Sequence, residues 1–188
     1  MHDDTDRWNR RYEGRRTGAP SMPKGLGGVE LRRGGRCLDV ACGLGEQSIW
    51  AAQQGYDVVA IDASDTAITT LNRAAIDAGV RERIDSRVVD LDRGLPSDLA
   101  GTCSLVICQR FRDADLYDQL VYMLQPGGVA VVTVLSVVGL PSPVDDGRPF
   151  HAAPGELVCA FRELDVDIVR SVELDGESTI VVIRRDDR

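Results

Sequence analysis

The apolar positions of this chain fall into short runs separated by helical stripes. Residues 37–41 (Cys-Leu-Asp-Val-Ala) are too few for a helix and suit a buried strand. Gly43 and Gly45 follow, where the chain must turn sharply and can let a ligand approach its backbone. A helical stretch with Ile49, Trp50 and Ala52 on its apolar face runs to Gly55, and a second strand, 58–61, ends on Asp62. Ser64 is placed to cap the next helix, whose stripe is Ala67, Ile68, Leu71, Ala74 and Ala75, with Gly79 as its stop. Residues 84–91 predict a third strand with Val88 and Val89 buried, and 103–108 a fourth.

Asp113 is positioned to cap a helix with Leu116, Leu120, Val121 and Leu124 on one face. Pro126 stops that helix, and Gly127 and Gly128 allow a reversal into a strand at 129–135. Residues 136–154 are irregular and rich in Gly and Pro, the kind of long loop that compact domains commonly reserve for function. A helix begins near Pro154, and two alternating strands, 166–173 and 178–184, are joined by a hairpin at Asp175-Gly176. The pattern predicts an α/β fold with a mostly parallel seven-stranded sheet flanked by helices.

Ahead of this core, Trp8 and Tyr12 stand four apart, which puts both rings on one helical face. Residues 13–35 break into Gly, Pro and Arg without a period. The expected organisation is an N-terminal helix and loop over 1–35, able to serve as a lid, and a single domain over 36–188.

Charge changes the picture more than composition does. The net charge of −8 disfavours nonspecific attraction to nucleic acid or an anionic membrane. Five cysteines without a C-x-x-C spacing read as reduced core residues, and two histidines do not support a metal site. No apolar run reaches the ~18 residues of a membrane span. The reading is a cytoplasmic protein, monomer or homodimer, with a small-molecule partner.

Strand, glycine turn, helix, strand and acid make a nucleotide-binding βαβ unit. Two details point away from a dinucleotide. The turn reads Gly43-x-Gly45-x-x-Ser48, without the third glycine, and Asp39 stands before it. A carboxylate there repels a pyrophosphate and suits a cation. S-adenosylmethionine has an ammonium, a sulfonium and a ribose but no phosphate. Asp39 can then hold its amino acid end, Asp62 can accept from both ribose hydroxyls, and Asp90 can accept from the adenine amino group with the Leu91 backbone at the ring edge. Asp90 also reads as a solvated loop acid.

Residues 38–45 (Leu-Asp-Val-Ala-Cys-Gly-Leu-Gly), Asp62, Val89-Asp90-Leu91 and Leu124-Gln125-Pro126-Gly127-Gly128 together resemble class I S-adenosylmethionine-dependent methyltransferases. The likeness is to the small bacterial type of the tellurite-resistance and thiopurine-methyltransferase group, and spans about Trp8 to Arg185. It implies a Rossmann-like sheet of order 3-2-1-4-5-7-6, with the seventh strand antiparallel. It implies cofactor contacts at Asp39, Ala41, Cys42, Gly43, Gly45, Asp62, Ala63, Asp90, Leu91 and the Cys108 backbone. The Trp8–Tyr12 segment resembles one that covers the cofactor in such enzymes, and reads equally as a terminal helix anchor. Ala41 stands where many relatives carry glycine, which makes this loop less permissive.

Methyl transfer from a sulfonium is an in-line displacement, driven by alignment and exclusion of water. A hydroxyl acceptor additionally needs its proton removed. His151 is the candidate base and Arg110 and Arg112 can steer an anionic acceptor, although an ordinary loop histidine and surface arginines fit the sequence too. Cys42 and Cys108 admit metalloid chemistry or simple packing. Two further readings stay open: an NAD(P)-linked oxidoreductase, against which the missing third glycine counts, and a catalytically silent S-adenosylmethionine-binding domain.

Overall fold

A computed structural model describes residues 2–140 and 150–186 of the chain. They form two compact units, Met1–Met22 with Arg32–Gly94, and Pro23–Leu31 with Leu95–Arg188.

The first unit contains α1 (His2–Tyr12), β1 (Arg36–Val40), α2 (Glu46–Gln53), β2 (Asp57–Asp62), α3 (Asp65–Asp77) and β3 (Ile84–Val88). Its strands lie in the order β3-β2-β1, all parallel, with Asp39 opposite Ala60 and Asp62 opposite Val88. Cys37, Leu38 and Val40 are wholly buried although successive side chains point to opposite faces. Burial on both faces is why β1 reads as a continuous apolar run rather than an alternating one.

Ser64 caps α3 as expected, its Oγ accepting from the Ala67 N–H at 3.1 Å, and Ala67, Ile68, Leu71 and Ala75 form the buried face. Gly45 precedes α2 in a left-handed conformation (φ 85°), and a Cβ there would lie 2.1 Å from Leu71 Cδ1. This glycine is required by helix-to-helix contact as well as by the turn.

β3 is shorter than its sequence suggests. It ends at Val88, which is 56% exposed, not buried as expected. β3 pairs with β2 alone within its unit, so apolar residues at its end need not be covered. The Val89 N–H still reaches the Asp62 carbonyl at 2.9 Å, after which Asp90 caps a single 3-10 turn, Leu91–Arg93.

The second unit holds β4 (Cys103–Gln109), α4 (Tyr117–Met123), β5 (Leu124–Ser136), β6 (His151–Ala152), α5 (Glu156–Phe161), β7 (Val166–Leu174) and β8 (Glu177–Arg184). Its order is β4-β5-β8-β7, with β4 parallel to β5 and β8 antiparallel to both of its neighbours. The two half-orders and the antiparallel last strand agree with expectation: the fold is a Rossmann-like α/β architecture with a mostly parallel sheet flanked by helices. Among the described residues the count is eight strands rather than seven, because His151–Ala152 pairs in parallel with Leu135–Ser136. A two-residue strand has no periodicity to read. Residues 141–149 of the long irregular stretch lie outside the described residues.

The Pro-Gly-Gly element also differs in kind. β5 already begins at Leu124, opposite Cys103, and the register then slips so that Leu105 faces Val129. Residues 125–128 are therefore accommodated as a bulge inside the strand. A Cβ on Gly128 would stand 2.8 Å from the Cys103 carbonyl, so the residue must lack one.

Gly45→Ala is expected to destabilise the protein by about 2–4 kcal/mol, from overpacking against Leu71 and an unfavourable positive φ. Urea unfolding at constant m checks it.

Candidate cofactor site

The first unit's βαβ core places two carboxylates beside its glycine loop. Asp39, next to the end of β1, is 2% exposed, and Ser48 Oγ on the first turn of α2 donates to its Oδ2 at 2.5 Å. Burial pushes the Asp39 carboxyl up to about 7 against the Ser48 hydrogen bond, and the nearby Asp62 and Glu46 charges add to the rise. Asp62 ends β2 and is 6% exposed. Its Oδ2 accepts from the Gly43 N–H and its Oδ1 from the Ser64 N–H, both at 2.8 Å. Burial raises this carboxyl too, while the Ser64, Gly43 and Ala63 amides oppose the rise. A carboxylate has about four lone-pair sites, so Asp62 retains capacity for a further donor.

The loop between them is built on left-handed residues: Ala41 (φ 52°), Gly43 (φ 54°) and Gly45 (φ 85°). The Cys42 N–H extends the ladder to the Ile61 carbonyl, and Gly45 N–H closes the turn on the Cys42 carbonyl, both at 3.0 Å. Ala41 holds a conformation that costs a non-glycine residue roughly 1–2 kcal/mol. Cys42 is buried, and its burial together with the Asp39 and Asp62 charges raises its thiol well above the ordinary value. It stays a protonated packing residue, not a thiolate.

α1 sits against this loop. The Tyr12 hydroxyl approaches Gly43 so closely that a Cβ there would meet it at 3.0 Å. Burial, then the Asp62 charge, push the Tyr12 phenol up to about 12. Trp8 stacks on Tyr12 with ring centroids 5.8 Å apart, flanked by the Arg7 and Arg11 guanidinium groups at 5.6 and 5.3 Å. Ser64 Oγ donates to Asn9 Oδ1. The lead-in after α1 is tied down as well: Thr17 Oγ1 donates to the Leu44 carbonyl at 2.7 Å and the Gly18 N–H to Glu46 Oε1 at 3.0 Å.

The structure thus gathers Asp39, Ala41, Cys42, Gly43, Gly45, Asp62, Ala63 and Tyr12 about one loop, with Trp8 behind Tyr12. Asp90 is half-exposed and occupied locally, accepting from the Asp92 N–H at 3.2 Å and facing Arg93 Nε at 3.4 Å, while Leu91 is buried. Sequence reasoning did not single out Ser48 as the Asp39 partner, or Asn9 and Glu46. Ser48 had a signal, since it fills the position of the absent third glycine; Asn9 had none.

In the second unit Cys108 is buried near the end of β4. Arg112 pairs with Glu156 through two bonds of 2.8 Å, and Arg110 pairs with Glu177. His151 lies in β6 rather than in a loop, half-buried, and its Nδ1 is buried without a hydrogen-bond partner among the described residues. Among the described residues no group of three or more His, Cys, Asp or Glu side chains is placed to hold a metal ion.

Two buried acceptors beside a glycine loop fit a cationic adenosine compound. Residues 37–128 match the family described as "Methyltransferase domain". Over that stretch the chain is similar to a methyltransferase domain, and its fold is similar to that of TehB from Haemophilus influenzae. That structure is 16% identical, with 86% of this chain and 60% of that one covered at a TM-score of 0.64. Geranyl diphosphate C-methyltransferase from Streptomyces coelicolor, crystallised with Mg2+, geranyl diphosphate and S-adenosyl-L-homocysteine, is 14% identical, with 98% of both chains covered at a TM-score of 0.70. A curated relative, ribosomal RNA small subunit methyltransferase C from Alcanivorax borkumensis, is 28% identical over 122 residues, or 60% of this chain. The match spans only 36% of that relative's length.

A carboxyl whose pKa is raised on folding favours the native state below the unfolded value near 4, and loses that contribution as pH rises through about 7. Asp39→Asn is expected to match wild type in stability near pH 4. It should exceed wild type by about 2 kcal/mol near pH 7.5, measured by urea unfolding across that range.

Proposed function

We propose that the chain is an S-adenosylmethionine-dependent methyltransferase acting on a small-molecule acceptor. The observation that carries this reading is the pair of buried carboxylates, Asp39 and Asp62, flanking a left-handed glycine loop inside the matched methyltransferase domain. When bound, the cofactor supplies a methyl group already activated on a sulfonium.

The residues divide the work by charge and position. Asp39 is the acceptor for the amino acid end, and a cation beside it draws its raised pKa down and fixes it as a carboxylate. Asp62 offers its remaining lone pairs to the ribose hydroxyls while the Gly43 and Ser64 amides hold it in place. Asp90 and the Leu91 backbone take the adenine edge. Tyr12, backed by Trp8, covers the loop at Gly43 and excludes water from it. For a hydroxyl acceptor, His151 is the base in this reading, its Nδ1 having no hydrogen-bond partner among the described residues.

Support for a small acceptor comes from the geranyl diphosphate relative and from the net charge of −8, which opposes a polyanionic substrate. The ribosomal RNA relative favours RNA as a second reading. The protein is taken to act in the cytoplasm as a monomer or homodimer. No helix among the described residues is long and apolar enough to cross a membrane.

Calorimetry with S-adenosylhomocysteine is expected to give saturable binding that Asp62→Ala abolishes, with no heat from NAD. Binding of NAD in its place overturns the reading. Incubating labelled cofactor with a metabolite extract and with ribosomal RNA separates the two acceptor classes: label in RNA alone rejects the small-molecule acceptor.

A further inference from the structure

In the second unit, the C-terminal rim of β4 and β5 carries an arrangement that cofactor binding leaves unused. Glu177 opens β8 opposite Leu135, and its side chain is only 11% exposed. Two cations share it. Lys24 Nζ donates to Oε2, and Arg110 donates from Nε and Nη2 to Oε1 at 2.9 Å. Both cations face outward, with side chains 65% and 73% exposed. Burial works to raise the Glu177 carboxyl, but the hydrogen bonds from Lys24 and Arg110 outweigh it and hold it below its ordinary value. One carboxylate beneath two cations leaves a local charge of +1 on a chain whose total is −8.

Both cations stand on backbone shaped to hold them. Arg110 takes a left-handed conformation (φ 60°), rare for a non-glycine residue, with its N–H on the Thr133 carbonyl at 2.6 Å. Lys24 lies between buried Pro23 and the Gly25-Leu26 pair. Gly25 has φ 97°, and a Cβ on it would lie 2.7 Å from Thr179 Cγ2 of β8. Leu26 is buried, and Arg170 Nη1 binds the Gly25 carbonyl and, at 2.8 Å, the Gly27 carbonyl. Backbone in sparsely populated conformations persists where its surroundings over-determine it, and such positions gather at functional sites.

Arg112 provides the contrast. Its guanidinium meets Glu156 through Nε and Nη2, and the same carboxylate also takes the Tyr117 hydroxyl at 3.1 Å and the Ala153 N–H at 3.1 Å. One cation and one anion close a neutral structural pair there. The Lys24–Arg110 pair is not neutral.

We propose that Lys24 and Arg110, poised over Glu177, form a subsite for an oxyanion group, carboxylate or phosphate. On the methyltransferase reading above, on which this rests, the subsite selects acceptors that carry such a group. Ligands of parallel α/β sheets bind at the carboxyl ends of the strands, which is the rim where these cations stand. A single negative charge neutralises the cluster, so a carboxylate suits it at least as well as a phosphate.

The test is a titration of the isotope-labelled full-length protein with benzoate and, separately, inorganic phosphate, followed by backbone amide signals. Saturable shifts at Lys24, Gly25, Arg110 and Phe111 are expected. Lys24→Gln and Arg110→Asn, the second chosen because asparagine tolerates the left-handed backbone, should each weaken binding roughly tenfold. A response to benzoate alone assigns carboxylate acceptors, and a response to phosphate alone assigns phosphorylated ones. Absence of saturable shifts, or the same shifts in the double variant, overturns the subsite. S-adenosylhomocysteine binding on the same samples keeps the failures apart. If it persists without an oxyanion response, only the subsite falls; if it is absent while the oxyanion binds, the methyltransferase reading falls instead.

Discussion

Everything around the candidate site answers to one electrostatic problem, the burial of two carboxylates beside a loop with little else to neutralise them. A buried charge without a partner costs far more than a marginally stable domain can spare. Asp62 meets this with backbone donors from Gly43 and Ser64, one to each oxygen. Asp39 meets the Ser48 hydroxyl and, more weakly, the Ser48 backbone amide, which do not outweigh burial, so its proton is held to near neutrality. On the proposed function a cationic ligand completes the compensation at Asp39, so the same feature that weakens the fold gives the cofactor its grip.

The left-handed turn follows from that problem. For the Gly43 amide to face Asp62, the chain must leave β1 and double back before α2 begins, and it does so through positive φ at 41, 43 and 45. Each position has a distinct reason. Gly45 has no room for a side chain beside Leu71, and Gly43 lies under the Tyr12 hydroxyl. Ala41 tolerates its conformation at a cost that the surrounding sheet bears. α1 completes the arrangement by bringing the Tyr12 ring over the loop, and Asn9 and Thr17 fasten it and the following segment.

The second unit shows how similar residues reach different ends. Arg110 and Arg112 are two apart in sequence and indistinguishable as types. Arg112 is absorbed into a closed network with Glu156 and Tyr117, whereas Arg110 shares a carboxylate with Lys24 and leaves positive charge on the rim. His151, too, is set by its partners: pairing with Leu135 makes it part of the sheet.

By itself the sequence determined the α/β class, the glycine turn with its acids at 39 and 62, the cap at Ser64 and the terminal hairpin, because each depends on neighbours a few positions apart. Periodicity, a capping residue or a turn pair is a local quantity, and a linear reading sees it. Tertiary structure decided what depends on distant partners. Ser48 and Gly43 find Asp39 and Asp62 across nine and nineteen positions. Lys24 finds Glu177 across 153, and no local pattern registers such a meeting. The exposed end of β3 and the bulge at residues 125–128 belong to the same class, since cover and register are set by the neighbouring strand. Chemistry carried along the chain was legible, and chemistry carried across it required the fold.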